Sequence, residues 1–161
     1  MRHSKSSWKY GNLNDFQRPL SKKGKSDIQL IIKFLKKKHI KFDLAYVSSS
    51  KRTKQTFNIL NKKLEIKNKI FFKKLYLTNY NNILSVIKKT KKKIKNLLII
   101  NHEPSCKLLV IKLIQKKYLL FKNKKFTTSA IVKINFNEKK WKLIKNYSGK
   151  LIFFKTPKKL I

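Results

Sequence analysis

Two histidines and three arginines hold the chemistry this chain can do. The pair Arg2-His3 opens it, Arg18 and Arg52 follow, and His102 stands beyond the middle. An imidazole can attack phosphorus and hold a phosphoryl group covalently, dividing one displacement into two easier ones. Arginine forks and a second, protonated histidine can neutralise charge spreading over the equatorial oxygens. Together they describe a phosphate pocket with a nucleophile inside it. His39, in a lysine-rich helix end, reads as an ordinary histidine.

The arginines gain weight from the composition. The 161 residues include 43 basic and 6 acidic ones, a formal net charge of +37, and every basic residue but Arg2, Arg18 and Arg52 is lysine. In such a chain an arginine marks a place where a point charge does not serve. Guanidinium is a planar fork that grips phosphate or carboxylate through two parallel hydrogen bonds. The charge itself has two readings. One is a polyanion binder with salt-sensitive affinity. The other is drift in an AT-rich coding sequence, which favours Lys, Asn, Ile and Phe over Arg, Ala, Gly and Pro. The lysines are scattered along the chain, which favours drift, and non-specific attraction to polyanions follows either way.

Several classes are excluded. One cysteine, Cys106, allows no internal disulfide, and the three histidines lack zinc-ligand spacing, so neither metal nor cofactor is expected. Apolar runs reach four residues, against the roughly 18 of a membrane span. No apolar stretch backs the N-terminus as in a secretory signal, so a cytoplasmic protein is expected. Without a linker or internal repeat, residues 1–161 read as a single domain.

These residues need elements to position them. Ser21 reads as the cap of a helix carrying Ile28, Ile31, Ile32 and Leu35 on one face and ending near His39. Residues 43–48 form a short strand that stops in three serines, and Ser50 caps a second helix with Phe57, Leu60 and Leu64. A short strand at 70–72 and a helix from 79 to about 91 follow. The apolar run between Asn96 and Asn101 is a strand covered on both faces, and Pro104 opens a helix through Leu108, Leu109, Ile111 and Ile114. Beyond Thr128 the pattern turns extended, with strands expected at Ile134 and Phe136, at Trp141 and Leu143, and at 151–154. Alternating strands and helices predict a three-layer α/β/α sandwich with a mostly parallel sheet. In such sheets the site lies beyond the carboxyl ends of the strands, which makes Arg52 and His102 neighbours.

The same residues carry a resemblance. Arg2-His3-Ser4-Lys5-Ser6-Ser7-Trp8 resembles the Arg-His motif of SixA-type phosphohistidine phosphatases in the histidine phosphatase (phosphoglycerate mutase-like) superfamily. The likeness continues through Asp15-Phe16-Gln17-Arg18-Pro19-Leu20 to Gly24, then from Ser48 through Arg52 to Thr56. It resumes at Leu75-Tyr76, at Ile99-Ile100-Asn101-His102-Glu103-Pro104, and at Thr127-Thr128-Ser129-Ala130-Ile131. The resemblance implies His3 as the phosphorylated nucleophile, with Arg2, Arg52 and His102 around the phosphate. It further implies Arg18, Ser4 and Thr128 as substrate contacts. Two departures stand out. The family carries a central strand of several apolar residues before the Arg-His pair, whereas only Met1 precedes it here, so either the true start lies upstream or a shortened or missing first strand is expected. Relatives also often place an acid just after Leu-Tyr, where this chain has Leu77 and Thr78, leaving Asp15 and Glu103 as the acids near the motifs.

The expected activity is metal-independent hydrolysis through phosphorylated His3. The substrate is a phosphohistidine protein or a small phosphorylated compound, with acidic partners favoured by the charge. The alternatives are a basic nucleic-acid-binding protein, and a degenerate relative that binds phosphate without turnover. The first gives no reason for arginine to be confined to three motif positions.

Overall fold

In the computed structural model the described residues are 1–9, 11–114, 121 and 123–161. Helix α1 (Lys22–Lys37) starts where the Ser21 side chain accepts the Gly24 N–H. Ile28, Ile31, Ile32 and Leu35 form its buried stripe. It is followed by β1 (Leu44–Ser48), α2 (Lys51–Leu64), β2 (Asn68–Phe72), α3 (Tyr80–Lys88), β3 (Leu97–Ile100), α4 (Ser105–Leu113), β4 (Ile131–Asn135) and β5 (Lys150–Lys155). The strand expected at Trp141 and Leu143 is instead a 3-10 turn, Trp141–Leu143. There the Trp141 ring N–H reaches the Ile94 carbonyl (2.7 Å), so tertiary packing overrides the alternation.

Strands β2, β1 and β3 form a parallel sheet in that order, and β4 and β5 form an antiparallel pair. Residues 1–3 lie between the two. Arg2 bridges Asn101 in parallel; the Asn101 N–H donates to the Met1 carbonyl and the His3 N–H to the Asn101 carbonyl. On the other side the Arg2 N–H donates to the Ala130 carbonyl and the Ser129 N–H to the His3 carbonyl. A cavity of about 760 Å³, lined by Met1, Leu97, Leu98, Ile131 and Ile134 among others, lies next to this short pairing.

The sheet separates two apolar layers. On one face α1 and α2 pack on Ala45, Val47, Leu98 and Ile100; on the other, α3 and α4 pack on Leu44 and Tyr46. Alternate residues of β1 thus serve opposite layers, as the pleat requires. This is the expected three-layer α/β/α sandwich. Each fully buried Ile or Leu contributes about 1.5–3 kcal/mol. Among the described residues no helix is long and apolar enough to cross a membrane.

The start of α1 also fixes the loop after His3. Both the Ser21 N–H (2.9 Å) and its hydroxyl (3.1 Å) donate to the Lys5 carbonyl. Gly24 faces the same peptide, and a β-carbon there would collide with the Lys5 carbonyl oxygen and nitrogen. Gly24→Ala is therefore expected to lower stability by about 1–3 kcal/mol, although alanine favours the helix. A lower urea midpoint at unchanged m-value is the expected result; a raised midpoint contradicts the close approach.

Candidate active site

Residues 1–3 and β3 run parallel, as do β3 and β1, so all three end at one edge of the sheet. His3 ends the first segment, His102 lies just past β3, and Ser48 ends β1. Arg52 is the second residue of α2, close to the positive end of that helix dipole. The pairing thus brings the two imidazole centroids to 5.1 Å with Arg52 between them.

The hydrogen bonds fix both tautomers. His3 Nδ1 lies 2.7 Å from the Ser4 carbonyl, which can only accept, so Nδ1 bears the proton. Nε2 then carries the lone pair, and it receives the Arg52 Nε–H at 3.3 Å. His102 is oriented the opposite way. Its Nδ1 faces Arg52 Nη2 at 3.2 Å and must accept, so Nε2–H donates to Ser48 Oγ at 2.8 Å. Burial is the main cause that lowers both histidines. His3 falls to about 4, lowered further by Arg52 and Arg2. His102 falls to about 3, lowered further by His3 and Arg52. The protonated second histidine expected from the sequence is therefore neutral here, because burial penalises its charge and His3 and Arg52 beside it add to that penalty.

The other expected residues divide. Arg2 lines the pocket, its Nη1 donating to the Phe126 carbonyl (2.8 Å) while its buried Nε meets no partner among the described residues. Thr128 lies on the pocket wall. Arg18 also reaches the wall, but its nitrogens are engaged by the Ser7 carbonyl (3.2 Å), Ser6 Oγ (2.9 Å) and Asp15 Oδ1 (3.0 Å). Its guanidinium carbon sits 3.2 Å from the centre of the Trp8 ring. Arg18 thus holds the 6–8 segment and Asp15 rather than offering a free fork. Ser4 is corrected from substrate contact to support. It is fully buried, its N–H donates to Thr56 Oγ1 (3.0 Å), and its hydroxyl accepts from Ser129 (2.7 Å).

Three residues given no role from the sequence complete the site. Ser48 orients His102, a function its place at a strand end could have signalled. Asp15 binds Arg52 (2.8 Å) and Arg18, and receives the Tyr76 hydroxyl (2.6 Å). Burial alone would raise Asp15, but the hydrogen bonds from Tyr76 and Arg52 and the Arg52 charge outweigh it and hold the carboxyl at about 2. Glu103 is pushed up, mainly by burial. Its Oε1 accepts the Lys107 N–H (3.1 Å), and its buried Oε2 has no partner among the described residues. The whole forms a pocket of about 820 Å³ with Lys5, Lys23 and Lys158 on its wall. Among the described residues no three His, Cys, Asp or Glu side chains cluster as metal ligands would.

The family model "Histidine phosphatase superfamily (branch 1)" matches residues 1–73. The structure superposes on the protein histidine phosphatase SixA complexed with tungstate, with a TM-score of 0.83 at 22% identity, covering 100% of this chain and 97% of that one. The chain has the histidine phosphatase fold. A proposed phosphohistidine phosphatase SixA from Agrobacterium tumefaciens matches this fold at TM-score 0.84 and 19% identity, over 98% and 95% of the two chains. The alpha-ribazole phosphatase of Shigella flexneri follows at 0.62 and 15%, over 98% and 95%. No curated protein sequence matches the chain. The histidine phosphatase fold, phosphoglycerate mutase-like in its layers, thus accommodates phosphatases of different substrates.

A neutral histidine whose value is lowered loses its neutral form only as pH falls through that lowered value. An activity that needs the His3 lone pair should therefore persist below pH 6.5 and fall as pH drops through about 4. The acidic limb of kcat/KM measures this, with the imidazole proton resonances followed in parallel. Stability should likewise decline below pH 6.5, because the unfolded histidines take up protons first. An acidic limb near 6.5 contradicts the buried, neutral state.

Proposed function

We propose that residues 1–161 act as one metal-independent phosphatase domain that moves a phosphoryl group from protein phosphohistidine to His3 and then to water. The observation that carries this reading is the His3 tautomer. Nδ1–H is fixed by the Ser4 carbonyl, which leaves the Nε2 lone pair beside Arg52 at the pocket. In the first step Nε2 attacks phosphorus as the substrate's P–N bond breaks. The bonding pair returns to a ring whose other nitrogen is protonated, so a neutral imidazole leaves. In the second step water attacks the phosphorylated His3, the new P–N bond breaks, and its electron pair returns to Nε2 as phosphate departs. Arg52 and Arg2 supply the cationic charge around the equatorial oxygens.

The acids support a phosphoramidate over an alkyl phosphate. An alkoxide leaving group needs a proton from the enzyme. Asp15, its pKa lowered to about 2, stays ionised, and Glu103, though pushed up by burial, has Oε1 on the Lys107 N–H and Oε2 buried. A protonated imidazole needs no such donor. The lysines on the pocket wall suit an acidic protein partner. No step requires a membrane, which accords with a cytoplasmic enzyme.

Brief incubation with a phosphoryl donor should leave an acid-labile phosphate on His3, and His3→Ala should abolish both label and turnover. Turnover that survives this change refutes covalent catalysis there; phosphate binding without turnover in the unaltered chain points to the degenerate reading. Arg52→Lys keeps the charge and loses the fork, and should lower kcat/KM by on the order of 10²-fold with the far-UV spectrum unchanged. Activity should also survive EDTA, and strict dependence on an added divalent ion would refute the metal-free scheme.

A further inference from the structure

Arg52 is expected to grip phosphate, yet its fork is already occupied. Nη1 donates to the Asp15 backbone carbonyl, and Nη2 donates to Asp15 Oδ2 (2.8 Å) and to His102 Nδ1. With Nε on His3, both nitrogens of the fork are engaged by one aspartate. Asp15 does not belong to the buried frame. Its side chain is 45% exposed, against 5% for Arg52, and it lies on a single 3-10 turn, Asp15–Gln17, at the pocket wall. It is also anchored from outside the phosphate position, by Arg18 Nη1 on Oδ1 and by the Tyr76 hydroxyl on Oδ2.

We propose that Asp15 is a resident anion of the pocket, which holds the Arg52 fork in the free protein, yields it to the phosphoryl group, and retakes it as phosphate leaves. This rests on the phosphatase reading above and adds a positioning residue to it. A carboxylate is the right competitor. Through Oδ2 and its own backbone carbonyl Asp15 offers the fork two oxygens and one charge, so it keeps Arg52 aimed between the histidines while the pocket is empty. A phosphoryl dianion brings three oxygens and two charges, and also meets Arg2, so it displaces the carboxylate. Arg18 and Tyr76 keep Asp15 at the mouth throughout, poised to return. Without such a competitor, a pocket of this charge in a +37 chain would retain its own product.

The test reads inorganic phosphate binding by calorimetry, independently of turnover. Asp15→Asn removes the competing charge and should tighten phosphate on the order of tenfold, the effect of one charge-assisted hydrogen bond. In steady state the same variant should show stronger product inhibition and a kcat that falls more than kcat/KM. A folded variant that binds phosphate no better than the unaltered protein overturns the proposal. So does an unaltered protein that binds no phosphate. If the variant fails to fold, the unaltered protein decides by carboxyl ¹³C titration. Saturating phosphate should raise Asp15 from about 2 toward the ordinary carboxylate range, since it loses a cation and gains an anion nearby. An unmoved titration overturns the displacement. Failure of the phosphatase reading itself would show differently, as absent turnover with phosphate binding and its Asp15 dependence intact.

Discussion

The Arg52 guanidinium reaches His3, His102 and Asp15 at once, and at 4% exposure it does so almost without water. Burial first, and then the buried cation beside them, make a second positive charge there expensive, so both rings are neutral. Neutrality sets the tautomers, because arginine can only donate and the ring nitrogens facing it must accept. The nucleophilic lone pair on His3 and the Nε2–H of His102 therefore both follow from where one side chain sits. The Tyr76 hydroxyl and the same guanidinium keep Asp15 ionised, so that Asp15 is no proton donor to a leaving group.

That arrangement depends in turn on a short stretch of backbone pairing. Residues 1–3 are tied by hydrogen bonds to Asn101 on one side and to the 129–130 segment on the other. Asn101 also accepts the His102 N–H on its side-chain oxygen, so one buried residue positions both histidines. Behind this frame Thr56 accepts the Ser4 N–H and donates to the Arg52 carbonyl, which couples the His3 loop to the first turn of α2. The pocket is thus held by a largely buried polar frame, in which Arg2 Nε, Asn101 Nδ2 and Glu103 Oε2 lack a partner among the described residues.

The large positive charge has little part in building the fold. Lysines cover the helix faces turned to solvent, while the buried stripes of α1 and α3 remain purely aliphatic at their centres. The cations that matter are the ones placed among other side chains. Arg18 shows the distinction: all three of its nitrogens serve the protein, and its face stacks on Trp8, a planar contact that a lysine ammonium could not reproduce. The three arginines that the composition singled out all line one pocket, and Arg18 acts there as a brace.

Much of this was legible in the chain itself. The caps at Ser21 and Ser50, the spacing of Ile28 to Leu35, and the apolar run of β3 are signals within a few residues of one another, and they determined the elements, the layers and the edge where the site lies. Residue types alone singled out Arg2, His3, Arg18, Arg52 and His102 as candidates. What the tertiary structure decided are the partners. Arg52 meets His3 across 49 positions, His102 across 50 and Asp15 across 37. Ser4 was drawn under the pocket by Thr56 and Ser129, and Trp141 was bent into a turn by Ile94. Protonation, tautomer and burial are properties of such long-range encounters. They depend on the dielectric and the charges that folding assembles, which no local pattern of residues contains.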